Sequence, residues 1–141
     1  MNSLTTTEYY CLVLRTDFSD QVTWQDVSAR ITAVGTGERE GFQASVRALD
    51  DPTYQGLTSE EILALTVPEY RGRLIFVVDE VTITGPDHPV LVLAVNGEER
   101  GQSFRSVPIE IQSVENNLSL YNMDWRDFAG SVDTEGIFRG F

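Results

Sequence analysis

Apolar positions along this chain follow two rhythms. Residues 9–15 (YYCLVLR), 74–79 (LIFVVD) and 90–95 (VLVLAV) are apolar at almost every position. Runs of that length bounded by turn formers predict strands covered on both faces. The 74–79 run can continue as far as Ile83. Residues 42–49 alternate instead, with Phe42, Ala44, Val46 and Ala48 on one side, which predicts another strand. Residues 103–107 predict a shorter fifth strand. The second rhythm is helical. Trp24, Val27, Ile31 and Val34 form one stripe, with Asp20 or Thr23 as N-cap and Gly35 and Gly37 as the stop. Thr58 and Glu61 have capping-box spacing, with Leu57 and Ile62 placed as a hydrophobic staple. Ile111, Val114 and Leu118 have helical spacing, although 109–111 also reads as strand. Asp124 suits the N-cap of a last helix carrying Trp125, Phe128, Ala129 and Val132.

The order is β-α-β-α-β-β-β-α-α. Helical crossovers make the first three strands parallel. Right-handed crossovers with helices on opposite faces give the order 2-1-3. Short turns make the last two strands antiparallel additions. The expected architecture is a polar leader at 1–8, then a single α/β domain at 9–141 around a mixed five-stranded sheet with flanking helices. After Gly136, the side chains Ile137, Phe138 and Phe141 are expected to dock on the core, because a frayed end would expose them.

Composition narrows the function classes. The length of 141 residues suits one domain, and 41% hydrophobic content fills its core. Ten basic residues oppose 22 acidic ones, giving a net charge of −12. All ten are arginines. The missing lysine excludes P-loop and Schiff-base chemistry, and a phosphoacceptor receiver, which needs a basic lysine. The charge argues against nucleic-acid phosphate binding and fits a basic protein partner. Cys11 is the single cysteine and His88 the single histidine, which excludes an intrachain disulfide and the usual zinc sites. No G-x-S-x-G elbow accompanies His88. No apolar run approaches the ~20 residues that span a bilayer, and the first residues lack a signal-peptide pattern. A reducing cytoplasm, with no membrane association, is the expected compartment.

The segments Ser113 to Ser119 (SVENNLS), Asn122 to Asp124 (NMD) and Gly136 to Phe141 (GIFRGF) resemble a family of small bacterial proteins, a domain of unknown function. Residues 14–18, 50–52 and 76–79 share the resemblance. It implies one complete domain and brings no activity, cofactor or catalytic residue.

Three sets of residues carry the chemistry. Ligands of open α/β sheets sit beyond the carboxyl ends of parallel strands. Those ends carry Asp17, then Asp50 and Asp51, then Asp79 and Glu80. If Asp17, Asp51 and Asp79 converge, they offer the hard oxygen ligands that Mg²⁺ prefers. Glu115, Asn116 and Asn117 put polar groups on an otherwise apolar segment, suited to an amide-bearing ligand or to buried backbone. Arg15 ends an apolar run and can pair with Asp17 or an anionic ligand. Two functions follow. One is an acidic protein-binding module of the immunity or inhibitor kind, docking a basic partner without a cofactor. The other is a divalent-metal-dependent hydrolase or phosphate-handling enzyme using the carboxylates.

Overall fold

Alternate residues of the central strands serve different cores. The computed structural model describes residues 1–6 and 8–141. In it β1 (Cys11–Arg15) and β3 (Leu74–Val78) pair in parallel and are buried throughout. Cys11, Val13, Leu74, Phe76 and Val78 join one core, while Leu12, Leu14, Ile75 and Val77 join the other. The two-residue period of the pleat divides them. This is why both runs are apolar without a break.

The other strands are β2 (Val46–Leu49), β4 (Val90–Ala94), β5 (Ser103–Ser106) and β6 (Ile137–Phe138). The sheet order is β2-β1-β3-β4-β5-β6. The 2-1-3 arrangement of parallel strands is as expected, and the crossover helices take opposite faces. Helix α1 (Gln21–Thr32) sends Trp24, Val27 and Ile31 into the first core. Helix α2 (Ser59–Leu65) sends Ile62 into the second. Strand β4 is antiparallel to β3, and β5 to β4.

The sheet has six strands, not five, and its division into parallel and antiparallel pairs differs from the expected one. β6 pairs in parallel with β5. Its backbone bonds are Arg105 N to Gly136 O at 3.2 Å and Val107 N to Phe138 O at 3.1 Å. Gly136 enters the strand at φ 79°, a left-handed conformation that favours glycine.

Several boundaries also move. The third strand stops at Val78, because Asp79 caps helix α3 (Glu80–Thr84) by accepting the Thr82 N–H at 3.1 Å. The second strand begins at Val46, and Phe42 stays largely exposed. Helix α1 ends before Val34, which is exposed. The ambiguous stretch after Pro108 is a single 3-10 turn leading into helix α4 (Ile111–Ser119), and α5 (Trp125–Ala129) follows.

The expected polar leader at 1–8 includes a core residue; Thr7, also within it, lies outside the described residues. Leu4 is 1% exposed and sits in the second core. Its N–H donates to Leu65 O at 2.8 Å and its carbonyl accepts from Val67 N at 3.1 Å. Among the described residues, no helix is long and apolar enough to cross a membrane.

Candidate functional site

The carboxyl ends of β1, β2 and β3 carry the predicted acidic residues, and two arginines organise them. Arg15, the last residue of β1, has only 3% of its side chain exposed. Its Nε donates to Asp17 O at 3.0 Å. One terminal nitrogen donates to Gln21 Oε1 at 2.7 Å and to Asp50 Oδ1 at 3.2 Å. The guanidinium also lies 4.4 Å from the Phe18 ring centroid and 5.1 Å from that of Trp24. Its expected partner, the Asp17 carboxylate, turns the other way and accepts the Ser19 N–H at 2.9 Å.

Arg105 comes from β5 and grips Asp79 with bonds of 3.0 and 2.8 Å, and Pro89 O with another of 3.0 Å. Burial opposes ionisation of Asp79. The Arg105 bonds and charge, with the Thr82 N–H and hydroxyl, outweigh it and hold the carboxyl below its ordinary range. Asp51 caps a 3-10 turn by accepting the Thr53 N–H at 3.0 Å. Glu80 is exposed in the first turn of α3, where a carboxylate suits the helix dipole. Asp20 caps α1. The Thr23 hydroxyl, then the Thr23 N–H, lower its pKa, and His88 from the turn before β4 adds to this.

The structure does not gather Asp17, Asp51 and Asp79 into one set of ligands. Asp17, Asp51 and Asp79 each bend onto a neighbouring backbone N–H, and Asp79 is further held by a guanidinium. Among the described residues, no group of three or more His, Cys, Asp or Glu side chains is placed to hold a metal ion.

Glu115, Asn116 and Asn117 stand on α4, away from that rim. The Glu115 side chain is buried and accepts Ser45 N at 2.6 Å and Asn116 Nδ2 at 2.8 Å. Asn116 also donates to Gln43 O at 3.1 Å and accepts from Gln112 Nε2 at 2.9 Å. The Asn117 side chain donates to Ser113 O at 2.9 Å, and its backbone carbonyl accepts Asn122 N and Met123 N. Their polar groups are taken up in tying α4 to the approach of β2 and to the turn after the helix. A cleft of about 300 Å³ lies beside them, with Phe42 and Leu120 as its exposed apolar walls. The sequence left open an amide-bearing ligand or buried backbone as their partner; in the structure these hydrogen bonds are internal.

Residues 10–141 match the family described as Domain of unknown function (DUF6924). The chain belongs to that family. Within its span lie the carboxylate rim, both arginines and the α4 amides; Leu4 and Thr6 lie before it. A comparison with curated proteins gave no match.

Sequence reasoning missed Arg105, which sits in a strand of mixed polarity with no local signal pointing to Asp79. It also missed His88, whose charge adds a little to the lowering of the Asp20 pKa.

Proposed function

We propose that this domain is an acidic protein-binding module, of the immunity or inhibitor kind, that docks a basic protein partner through the rim at the carboxyl ends of β1–β3. One observation carries the reading. Eight of the ten arginines are tied to carboxylates, leaving Arg71 and Arg100 without such a partner among the described residues. Thirteen of the 22 acidic side chains have no arginine partner there, Asp20, Asp51 and Glu80 on the rim among them. The cations neutralise the domain's own interior and loops, and most of the excess negative charge faces outward, Asp17 and Glu115 being the buried exceptions. Val22 and Val81 stand exposed beside Asp20 and Glu80. They supply the apolar contact that a charged rim alone lacks. Charge complementarity of this kind speeds association and rejects acidic competitors.

The test is capture of partners from the native cell, followed by association kinetics at about 50 and about 150 mM salt. The expected partner is basic, and its association slows steeply as salt rises. Neutralising the rim (Asp20→Asn, Asp51→Asn, Glu80→Gln) should slow association while leaving the fold intact, since asparagine caps nearly as well as aspartate. A partner whose on-rate ignores both salt and these changes would overturn the reading.

A further inference from the structure

The opposite end of the sheet, where β1 and β3 begin, is chemically unlike the rest of this acidic protein. A pocket of about 170 Å³ opens there. Its walls are two arginine–tyrosine pairs. The Arg71 guanidinium lies 4.8 Å from the Tyr9 ring centroid, and that of Arg73 lies 4.5 Å from the Tyr121 ring centroid. Cys11 and Ser119 also line the pocket, with Sγ and Oγ 3.9 Å apart.

The two arginines differ in what they have left to offer. Arg73 is committed: it donates to Leu118 O at 2.9 Å and to Glu99 Oε2 at 3.4 Å. Arg71 has no carboxylate partner among the described residues, and its side chain stands exposed. Stacking occupies the flat face of a guanidinium and leaves its N–H edge free. That edge is the one uncompensated cation at the pocket. Glu99 is already matched by Arg73, and Glu115, which faces Cys11, is held by Ser45 N and the Asn116 amide.

The backbone is set for this arrangement. Asn96 Nδ2 donates to Tyr70 O at 3.1 Å and Gly72 O at 2.6 Å, and Arg71 N donates to Thr6 Oγ1 at 3.1 Å. A Cβ on Gly72 would come within 2.8 Å of the Tyr70 ring, so a larger residue there would push that ring aside. Tyr121 holds φ 57°, a left-handed conformation rare for a bulky side chain. Burial does not offset that strain, because the residue is 74% exposed. The conformation instead lays the ring over Arg73 at the pocket mouth.

We propose that this pocket binds a small aromatic carboxylate, its ring between Tyr9 and Tyr121 and its carboxylate on the free edge of Arg71. A guanidinium edge matches a carboxylate with two parallel hydrogen bonds. Tyrosine rings stack on an aromatic ligand. A pocket of about 170 Å³ suits a single ring. The site lies at the far end of the sheet from the carboxylate rim and is independent of it.

Sodium benzoate is the probe, titrated into the full ¹⁵N-labelled chain up to about 10 mM, with benzamide as its uncharged counterpart. Saturable shifts should centre on the amides of Cys11, Gly72 and Tyr121, with benzamide binding at least about tenfold more weakly. Arg71→Gln should weaken benzoate by about tenfold or more, while Arg100→Gln leaves it unchanged. Tyr121→Gly relieves the strained φ, so it should preserve or raise the melting temperature and still weaken benzoate. Shifts that do not saturate, equal binding of benzamide, or undiminished binding by Arg71→Gln would each overturn the proposal.

Discussion

Arg105 reaches over β4 to clasp Asp79, twenty-six residues away, with paired bonds of 3.0 and 2.8 Å. A third bond to Pro89 O, just before β4, makes one guanidinium the junction of β3, β4 and β5. Both side chains are mostly buried, so removing one strands the other in a poorly solvated place.

Asp79→Asn should therefore cost about 1–3 kcal/mol at neutral pH, measured by urea unfolding. The cost should depend on pH. The folded-state pKa of Asp79 lies below its ordinary value, so its contribution is present above the unfolded pKa of about 4 and fades as pH falls through the folded value. The gap between wild type and Asp79→Asn should narrow in acid. A gap that stays constant from neutral pH down to about pH 2 would show that the charge is not what stabilises the junction.

Arg15 makes a sharper case for guanidinium geometry. It divides its donors among Asp17 O, Gln21 and Asp50 while two rings cover its face. A lysine keeps the charge but cannot fork or stack in this way. Arg15→Lys is expected to lose about 2–4 kcal/mol, close to the loss in Arg15→Met. A lysine variant within about 0.5 kcal/mol of wild type would show that charge alone suffices.

The three aromatic and aliphatic side chains after Gly136 have unequal weight. Phe138 is fully buried and Ile137 nearly so, whereas Phe141 is 74% exposed. Phe138 meets Phe128 edge-on, with ring centroids 5.1 Å apart. Phe138→Ala should cost about 3–5 kcal/mol, and Phe141→Ala under about 1 kcal/mol. Equal effects in a thermal melt would contradict this division.

Cys11 should behave as an inert thiol while the chain is folded. Burial, and then the nearby Glu115 charge, push its pKa up to about 11. The thiolate is the reactive form. A disulfide reagent at pH 8 should label the native protein slowly and the urea-unfolded protein at once. Rapid labelling of the native state would mean that the start of β1 opens readily.

The parts of the fold legible in the sequence are those whose signal is local. Thr58 and Glu61 form the capping box that their spacing announces. Trp24, Val27 and Ile31 point into one core as their stripe requires. The failures are where distant partners decide. Val78, Asp79, Glu80, Val81, Thr82 and Ile83 read as continuing strand because β-branched residues persist. The Asp79 carboxylate instead caps a helix under the hold of Arg105. A two-residue strand such as β6 is too short to show alternation, and only its pairing with Arg105 and Ser106 defines it. Leu4 gives no pattern at all among polar neighbours, yet the bonds to Leu65 and Val67 draw it into the core. At the candidate site the acids were visible, but their mutual distances were not. Those depended on which backbone N–H or arginine each carboxylate would meet.

The binding of arginines to acids has a consequence for proteolysis. Trypsin must draw a basic side chain into its specificity pocket before it cuts, and this chain offers it no lysine. Arg15 and Arg105 cannot enter that pocket without first releasing the strand ends they hold together. Cutting at those two positions therefore waits on opening of the sheet. Their cleavage, followed by mass spectrometry, becomes a clock for how often the centre of the domain comes apart.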